Sequence, residues 1–202
     1  MDFCNTQNIL LEDLIRLWEN FPDCISFFQL RAKSISLSEY KALYNHLRTI
    51  FPNSKIIIND FWEFALEINA FGIHIGKEDF ASLSTSQKAL LKNAKTILKG
   101  TSSHSLEDLR NLDQTLWDYS GFGPIFPTNT KKTNTPPLGV RNLELALNQT
   151  SIPLVPIGGI NSENFFTLGN FFKITPASIS MMANEKSLIK IVDFIRKSLH
   201  PV

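Results

Sequence analysis

Cysteine is scarce in this sequence, and its scarcity excludes two common kinds of site. The 202 residues include only Cys4 and Cys24, which lie far apart and form no CxxC pair. Two such residues cannot supply the disulfide framework of a small secreted protein. Without a CxxC spacing they also give no sign of a bound metal. We therefore interpret both cysteines as reduced thiols.

An excess of charge of either sign is also absent, as is any long apolar run. The 20 basic and 19 acidic side chains give a net charge of only +1, so no field of the whole protein would gather nucleic acid or an anionic membrane. No stretch approaches about 18 consecutive apolar residues, and the N-terminus has no basic region followed by an apolar run. We expect a cytoplasmic protein that binds small molecules and neither nucleic acid nor a membrane. Assembly into a homo-oligomer stays open.

Apolar runs of strand length alternate along the chain with segments of helical periodicity, and the connections are short. The predicted strands cover residues 25–30, 55–59, 72–75, 96–100, 117–123, 153–158 and about 174–179. The predicted helices cover residues 9–20, 38–50, 61–69, 84–94, 105–112, 140–149, 161–168 and 187–199. No linker or low-complexity segment interrupts the series, so residues 1–202 are predicted to form a single domain.

The order of these elements predicts an α/β fold, a compact (β/α)8 TIM barrel. The helices outnumber the clear strands by one, which implies a weak or shortened first strand at residues 1–4. The length lies near the lower limit of about 200 residues for this fold. The alternative is an open doubly wound sheet, but that fold needs a glycine-rich turn after its first strand, and the sequence has none there. Helix start signals are present at Ser36 with Glu39, at Ser84 with Gln87, and at Ser105.

Polar residues follow the first clear strand at the place where a barrel of this kind carries its catalytic groups. Gln29, Arg31 and Lys33 alternate along an extended chain, so all three side chains would point to one side. Two cations and an amide directed together suit a polyanion. The same three residues also suit a solvated basic turn.

Two carboxylates follow the next two strands and would face the same mouth of the barrel. Asp60 comes directly after Ile58-Asn59, and Asp79 follows the run 72–76. Hard oxygen ligands on adjacent strand ends can hold Mg²⁺, which keeps several waters and takes further ligands from substrate phosphate. Asp60 is equally suited to be the N-cap of a helix that begins at Phe61.

Hydroxyl groups, lysines and glycines collect after the later strands and suit phosphate oxygens. Residues 100–105 are rich in serine and threonine, and residues 124–137 have the Pro, Thr and Lys content of either a lid or a mobile surface loop. Gly158 and Gly159 lie between a strand and a helix N-terminus. Their bare backbone N–H groups can hold a phosphate there, together with Ser180 after the last strand.

Taken in order, these segments resemble the thiamine phosphate synthase family over most of the chain. The resemblance implies a transferase that condenses 4-amino-2-methyl-5-(diphosphooxymethyl)pyrimidine with a thiazole phosphate, giving thiamine phosphate and pyrophosphate. It also implies dependence on Mg²⁺ and a dissociative, carbocation-like step that needs no protein nucleophile. The specific motifs are the QxRxK run 29–33, Ile58-Asn59-Asp60, the run 72–76 with Glu78-Asp79, the run 121–131 ending in TxTK, and Ile157-Gly158-Gly159-Ile160.

The resemblance further implies a role for individual residues of this chain. Gln29 and three catalytic cations would bind the pyrimidine diphosphate. The cations are Arg31, Lys33 and Lys131. Asn59 would lie near the pyrimidine, and Ser102 would contact the diphosphate. The metal ligands would be Asp60 and Asp79. Thiazole phosphate would be held by Thr128, Thr130, Gly159 and Ser180, with Gly158 and Ile179 as adjoining substrate-binding positions.

The sequence departs from the family pattern at several places. Ala32 stands where the family usually has an acid, Lys77 where it usually has glutamine, and Phe61 where a charged residue often follows Asn-Asp. Residues 168–176 lack the usual Gly-Ala-Asp before the last strand. Two alternatives therefore stay open. One is a thiazole tautomerase of the same superfamily with His104 as a proton-transfer residue, and the other is a non-catalytic protein that binds thiazole phosphate or thiamine phosphate.

Overall fold

The computed structural model describes residue 20 and residues 25–128, 136–169, 174–179, 181 and 184–199. Its strands are β1 (Phe28–Leu30), β2 (Ile56–Asn59), β3 (Gly72–His74), β4 (Leu98–Ser103), β5 (Tyr119–Phe122) and β6 (Leu154–Pro156). Its helices are α1 (Leu37–Ile50), α2 (Trp62–Glu67), α3 (Lys77–Ser82), α4 (Thr85–Asn93), α5 (Leu106–Arg110), α6 (Gly139–Gln149), a 3₁₀ helix (Phe165–Leu168) and α7 (Glu185–Leu199). Several predictions fall on residues outside these ranges: the strand at 1–4, nearly all of the helix at 9–20, and the roles of Thr130, Lys131 and Ser180.

All six strands of the described chain are parallel, and their order in the sheet is their order in the sequence. A doubly wound sheet reverses its strand order at a switch point, so that alternative is wrong. The six strands form a parallel half-barrel, which confirms the α/β class. A strand predicted at about 174–179 is reduced to two parallel bridges, Leu154 with Ile174 and Ile157 with Ala177. Pro176 lies between them and has no N–H to donate, so it interrupts the ladder.

Three helix starts confirm the predicted caps. The Ser36 hydroxyl accepts a hydrogen bond from the backbone N–H of Glu39 at 3.3 Å, and the Glu39 carboxylate accepts one from the Ser36 backbone at 2.7 Å. Ser84 and Gln87 form the same capping box at the start of α4. The Ser105 hydroxyl accepts from the backbone at the start of α5. Each cap satisfies N–H groups that the first turn of a helix leaves without partners.

Two helices beside the strand ends differ from the sequence prediction. The short α3 is absent from that prediction because its N-cap is Gly76, which offers no side chain as a start signal. The N-cap of α2 is Phe61, without a side-chain hydrogen bond, so the interpretation of Asp60 as the cap is wrong. Asp60 instead has a positive φ of 69°, and its carboxylate is directed to other partners.

The helix predicted at 161–168 is only a single 3₁₀ turn. The side-chain oxygen of Asn161 accepts from the backbone N–H groups of Glu163 at 2.8 Å and Asn164 at 3.1 Å. This local side-chain bonding forms a turn in place of the first helical turn. Gly169, with φ of 79°, ends the element on the other side.

The two faces of the half-barrel bury different sets of side chains, because successive strand residues point to opposite faces. The outer face packs against the helices, as where Ile58 meets Trp62. The inner face joins Ile57 of β2 with Tyr119 of β5 and Val155 of β6 in one buried cluster. Since β2 and β5 are not neighbours in the sheet, the sheet curves round to bring them together. None of the described helices is long and apolar enough to cross a membrane.

Lys99 is a buried lysine whose removal should destabilise the fold. Its side chain is 7% exposed, and its ammonium donates to the carbonyls of Ala94 at 2.9 Å and Ile97 at 3.1 Å. Lys99→Met would leave these acceptors unpaired, so we expect the free energy of unfolding to fall by about 1–3 kcal/mol. Urea denaturation measures this loss. Lys92→Met, which removes an exposed ion pair with Asp113, should change the free energy of unfolding by less than about 0.5 kcal/mol. Equal effects of the two changes would contradict the role given to Lys99.

Candidate functional site

The C-terminal edge of the sheet brings Gln29 of β1 into contact with Asn59 of β2. Gln29 Nε2 donates to Asn59 Oδ1 at 2.6 Å, and Asn59 is only 4% exposed. The backbone N–H of Asn59 donates to the Tyr40 hydroxyl, which in turn donates to the Leu30 carbonyl at 2.7 Å. Burial raises the pKa of Tyr40, so its phenol stays protonated. Tyr40 on α1 thus fixes the ends of both strands and positions the two amides.

Beside this pair, the ammonium group of Lys33 lies between two carboxylates. Lys33 Nζ is 3.5 Å from Asp60 Oδ2 and 3.3 Å from Asp79 Oδ2. Asp60 reaches this position because its backbone N–H is held by the His74 carbonyl at 3.0 Å, and Asp79 because it lies in the first turn of α3. The structure therefore unites three of the predicted site residues around one cavity of about 280 Å³. The cavity is lined by Lys33, Asp60, Phe61, Trp62, Ile75, Asp79, Ser82 and Leu83.

The two carboxylates are suitable ligands for Mg²⁺, because carboxylate oxygens bind this cation well and the two groups point toward the same place. Both direct an oxygen at the same cation, the ammonium of Lys33. Within the described ranges no group of three or more His, Cys, Asp or Glu side chains lies close enough together to hold a metal by protein ligands alone. Mg²⁺ does not need one, since it is commonly held by one or two carboxylates with waters and substrate phosphate.

The remaining described site residues lie at or near the same edge. Arg31 is exposed just beyond β1, between Gln29 and Lys33, while Ala32 beside it is buried. Thr128 is half-buried in the segment after β5. Ile179, which follows the two bridges to the β6 edge, is 42% exposed. Their assigned contacts with substrate stay predictions.

Backbone conformation and close packing require glycine at positions 158 and 159, whether or not these residues bind a phosphate. Their φ values are +95° and +67°, a conformation that side chains with a Cβ rarely adopt. A Cβ on Gly158 would collide with Pro124, and one on Gly159 would collide with the backbone of Phe126 and Pro127. The glycines thus let the loops after β5 and β6 lie directly against each other. Their role in holding a phosphate stays a prediction.

Lys77 lies at the start of α3 and pairs with Asp108 of α5, and not with the neighbouring Glu78. The hydrogen bond with Asp108 and the charge of that carboxylate raise the pKa of Lys77. Partial burial acts to raise the pKa of Asp108, but hydrogen bonds from Lys77 and from the His104 backbone lower it overall. The charge of Lys77 is therefore neutralised by a partner that is not one of the candidate metal ligands.

Sequence reasoning named Ser102 as a site residue but missed two buried side chains that bond to each other and to Ser102 on the inner face of the sheet, His74 and Tyr119. His74 Nε2 lies 2.9 Å from the Ser102 hydroxyl, and His74 Nδ1 lies 3.1 Å from the Tyr119 hydroxyl. His74 is 8% exposed and Tyr119 is 5% exposed. The signal that could have found the group is the alternation of strand residues, which places His74 two positions after inward-facing Gly72 and in register with Asn59.

Comparison with known proteins identifies the group to which this chain is similar. The sequence profile of a family described as thiamine monophosphate synthase matches residues 4–170. A thiamine-phosphate synthase of Bacillus cereus is 32% identical over 205 residues, covering 96% of this chain and 91% of that protein. One of Lactococcus lactis subsp. cremoris is 29% identical over 180 residues, covering 87% of this chain and 81% of that protein.

The solved structures that resemble this chain support the same fold. The thiamine phosphate pyrophosphorylase of Pyrococcus furiosus superposes with a TM-score of 0.74 over 94% of this chain and 90% of that one, at 22% sequence identity. The thiamine phosphate pyrophosphorylase of Bacteroides thetaiotaomicron gives a TM-score of 0.61 over 95% of each chain, at 16% identity. At such identities the superpositions bear on the fold alone.

Proposed function

The chain belongs to the thiamine monophosphate synthase family and is an enzyme of that family, and from this premise we propose the reaction that its site performs. The enzyme condenses 4-amino-2-methyl-5-(diphosphooxymethyl)pyrimidine with a thiazole phosphate, in the presence of Mg²⁺, to give thiamine phosphate and pyrophosphate. The observation that carries the proposal is the convergence of Lys33, Asp60 and Asp79 next to the Gln29–Asn59 amide pair. That edge of the sheet offers charge for a diphosphate and amides for a heterocycle.

The reaction breaks one carbon–oxygen bond and forms one carbon–nitrogen bond. The diphosphate leaves the pyrimidine methylene with the bonding electron pair, and the lone pair of the thiazole nitrogen then attacks the resulting cationic carbon. No proton needs to move and no side chain needs to attack. The protein therefore contributes alignment of the two substrates and stabilisation of the charge that builds on the leaving oxygens.

Particular side chains would supply these contributions. Lys33 and Arg31 would hold the diphosphate oxygens, together with the predicted Lys131, and the charge–charge attraction strengthens as the bond breaks. Bound Mg²⁺, held by Asp60 and Asp79, would neutralise part of the same developing charge. In the free protein Lys33 occupies the space between those carboxylates, so it must turn away from them to reach a diphosphate.

An assay with both substrates and Mg²⁺ tests the proposal against its rivals. We expect thiamine phosphate and pyrophosphate to form in equal amounts, and only when both substrates and the metal are present. Isomerisation of a thiazole phosphate without any pyrimidine would support a tautomerase. Binding of thiazole phosphate or thiamine phosphate without turnover would support a non-catalytic binding protein.

The geometry of His104 keeps the tautomerase as a second candidate. His104 Nδ1 lies 2.7 Å from the Gly123 carbonyl oxygen. A carbonyl only accepts, so Nδ1 carries a proton, and whenever Nε2 carries none its lone pair could remove a proton from a substrate. Lys33 and the two carboxylates favour the synthase, because isomerising a thiazole phosphate needs neither a metal nor a diphosphate site.

Replacing His104 separates these two functions. If the chain is a synthase, His104→Ala should lower the rate of thiamine phosphate formation by less than about tenfold, because no step of that reaction requires a base there. The measurement is kcat for thiamine phosphate formation, with His46→Ala on α1 as the control. A synthase rate reduced to zero with both substrates still bound would show that the proposed mechanism is wrong.

A further inference from the structure

The hydrogen-bonded group of His74, Tyr119 and Ser102 depends on a glycine. Gly100 of β4 pairs with His74 on one side and with Tyr119 on the other. A Cβ on Gly100 would collide with the ring of Tyr119, so only glycine lets this ring cross β4 to reach His74. The strand register therefore places Tyr119 Oη at one nitrogen of the imidazole, while Ser102, two residues after Gly100, lies at the other.

The chemistry of the three groups gives the chain of hydrogen bonds a direction. Burial raises the pKa of Tyr119, so its phenol stays protonated and its hydrogen needs an acceptor. In the described part of the chain, the Tyr119 hydroxyl is hydrogen-bonded to His74 alone. If Nδ1 were the donor, the phenol hydrogen would be buried without a partner, which is costly. Tyr119 therefore donates to Nδ1, and the proton of the neutral ring lies on Nε2.

The same reasoning decides which group donates in the hydrogen bond between His74 and Ser102. Because Nε2 carries the proton, it donates to the Ser102 oxygen, and the serine hydrogen cannot point back at the ring. The serine hydrogen is thereby turned toward other acceptors on the inner side of the sheet. Ser102 is half-buried, so a substrate oxygen there could be such an acceptor.

We propose that His74 and Tyr119 are positioning residues, which fix the Ser102 hydroxyl as a hydrogen-bond donor to the departing diphosphate. The proposal rests on the proposed function, and the contact of Ser102 with the diphosphate is the one that the resemblance to the family implies. A donor already directed at the place where negative charge develops needs no reorganisation when the bond breaks. The benefit should therefore be found in the chemical step and not in substrate binding.

The first test uses spectroscopy and does not depend on catalysis. In protein with ¹⁵N-labelled histidine, the ring nitrogens of His74 should show a neutral ring protonated at Nε2, with the hydrogen absent from Nδ1. The chain has 4 histidines, and His74→Gln identifies the relevant signals. Tyr119→Phe keeps the aromatic ring and removes the donor, so it should shift the tautomer toward Nδ1–H. A wild-type ring protonated at Nδ1, or a charged ring, would overturn the proposal even if the protein proves inactive.

The second test measures the coupling of these residues to the reaction. Ser102→Ala should lower kcat on the order of tenfold, and Tyr119→Phe about fivefold, each with little change in KM for the diphosphate substrate. The double variant should be no slower than Ser102→Ala, because Tyr119 acts through Ser102.

Ser102→Thr, which keeps the hydroxyl, should retain most of the rate, and Tyr44→Phe serves as the control. Losses in kcat that multiply in the double variant would overturn the positioning role, whereas an absence of synthase activity in the wild type would overturn the proposed function instead.

Discussion

Lys33→Met should lower the rate of thiamine phosphate formation about a hundredfold or more and at the same time make the free protein bind Mg²⁺ more tightly. The rate falls because a charge that would stabilise the leaving diphosphate is lost. The metal binds more tightly because Lys33 Nζ, at 3.5 Å from Asp60 and 3.3 Å from Asp79, no longer competes for the two carboxylates. The lysine side chain is 48% exposed, so solvent limits this competition to about 1 kcal/mol, or about fivefold in affinity.

Two comparison variants test whether the loss of rate and the gain in Mg²⁺ affinity are both specific to Lys33. Arg31→Ala should also slow the reaction about a hundredfold, but without a gain in metal affinity, since among the described contacts Arg31 is not paired with either carboxylate. Lys41→Met removes an ion pair with Glu67 on the outer side of the fold and should change neither quantity. Calorimetric titration of the substrate-free protein with Mg²⁺ gives the affinity, and a pyrophosphate-release assay gives the rate. A Lys33 variant with weaker metal binding would contradict the competition, and one with an unchanged rate would contradict the role in catalysis.

Much of the fold could be predicted from the sequence because local signals and the strand pattern agree. The capping boxes at Ser36 and Ser84 depend on residues three apart, and both are present as expected. Five of the six strands lie within their predicted ranges, and β4 overlaps its predicted range at Leu98–Gly100, because short runs with apolar residues alternate there with polar connections. Differences arise where tertiary contacts decide, as at Asp60, whose carboxylate faces Lys33 and does not cap the following helix.

The charged part of the candidate site could be predicted from the sequence, and the family resemblance also implied Asn59 and Ser102, but His74 and Tyr119 could not be predicted. Lys33, Asp60 and Asp79 are recognisable because charged residues that follow a strand within a few positions are conspicuous in a sequence. Tyr119 and His74 are not, since either could belong to an ordinary core. Their contact depends on a parallel register and on a glycine in the strand between them, and the sequence prediction ended that strand at Gly100 although β4 continues to Ser103. Without the last three residues of β4, the inward position of Ser102 could not be derived.

We expect Lys77 to weaken Mg²⁺ binding less than the sequence alone would suggest. A lysine in place of glutamine near two carboxylates should weaken Mg²⁺ binding, since two unit charges about 8 Å apart interact by about 2 kcal/mol at an effective dielectric of about 20. In the structure the ammonium of Lys77 pairs with Asp108. A neutralised pair has little effect at that distance, particularly where solvent and salt screen it.

We expect activity to depend entirely on Mg²⁺ and the metal requirement to respond to Asp79 but hardly to Lys77. Asp79→Asn should raise the Mg²⁺ concentration for half-maximal rate by about tenfold, because a neutral amide is a weaker ligand for a hard cation than a carboxylate. Lys77→Gln should leave that concentration unchanged or lower it slightly, since Asp108 would then keep an uncompensated negative charge.

Asp113→Asn, which alters an exposed acid paired with Lys92, is the matched control. The measurement is the initial rate across a Mg²⁺ titration of the four proteins, with a chelator present in a parallel series. Full activity in the chelator would rule out the metal site, whereas an unchanged requirement in Asp79→Asn would rule out only the role of that carboxylate.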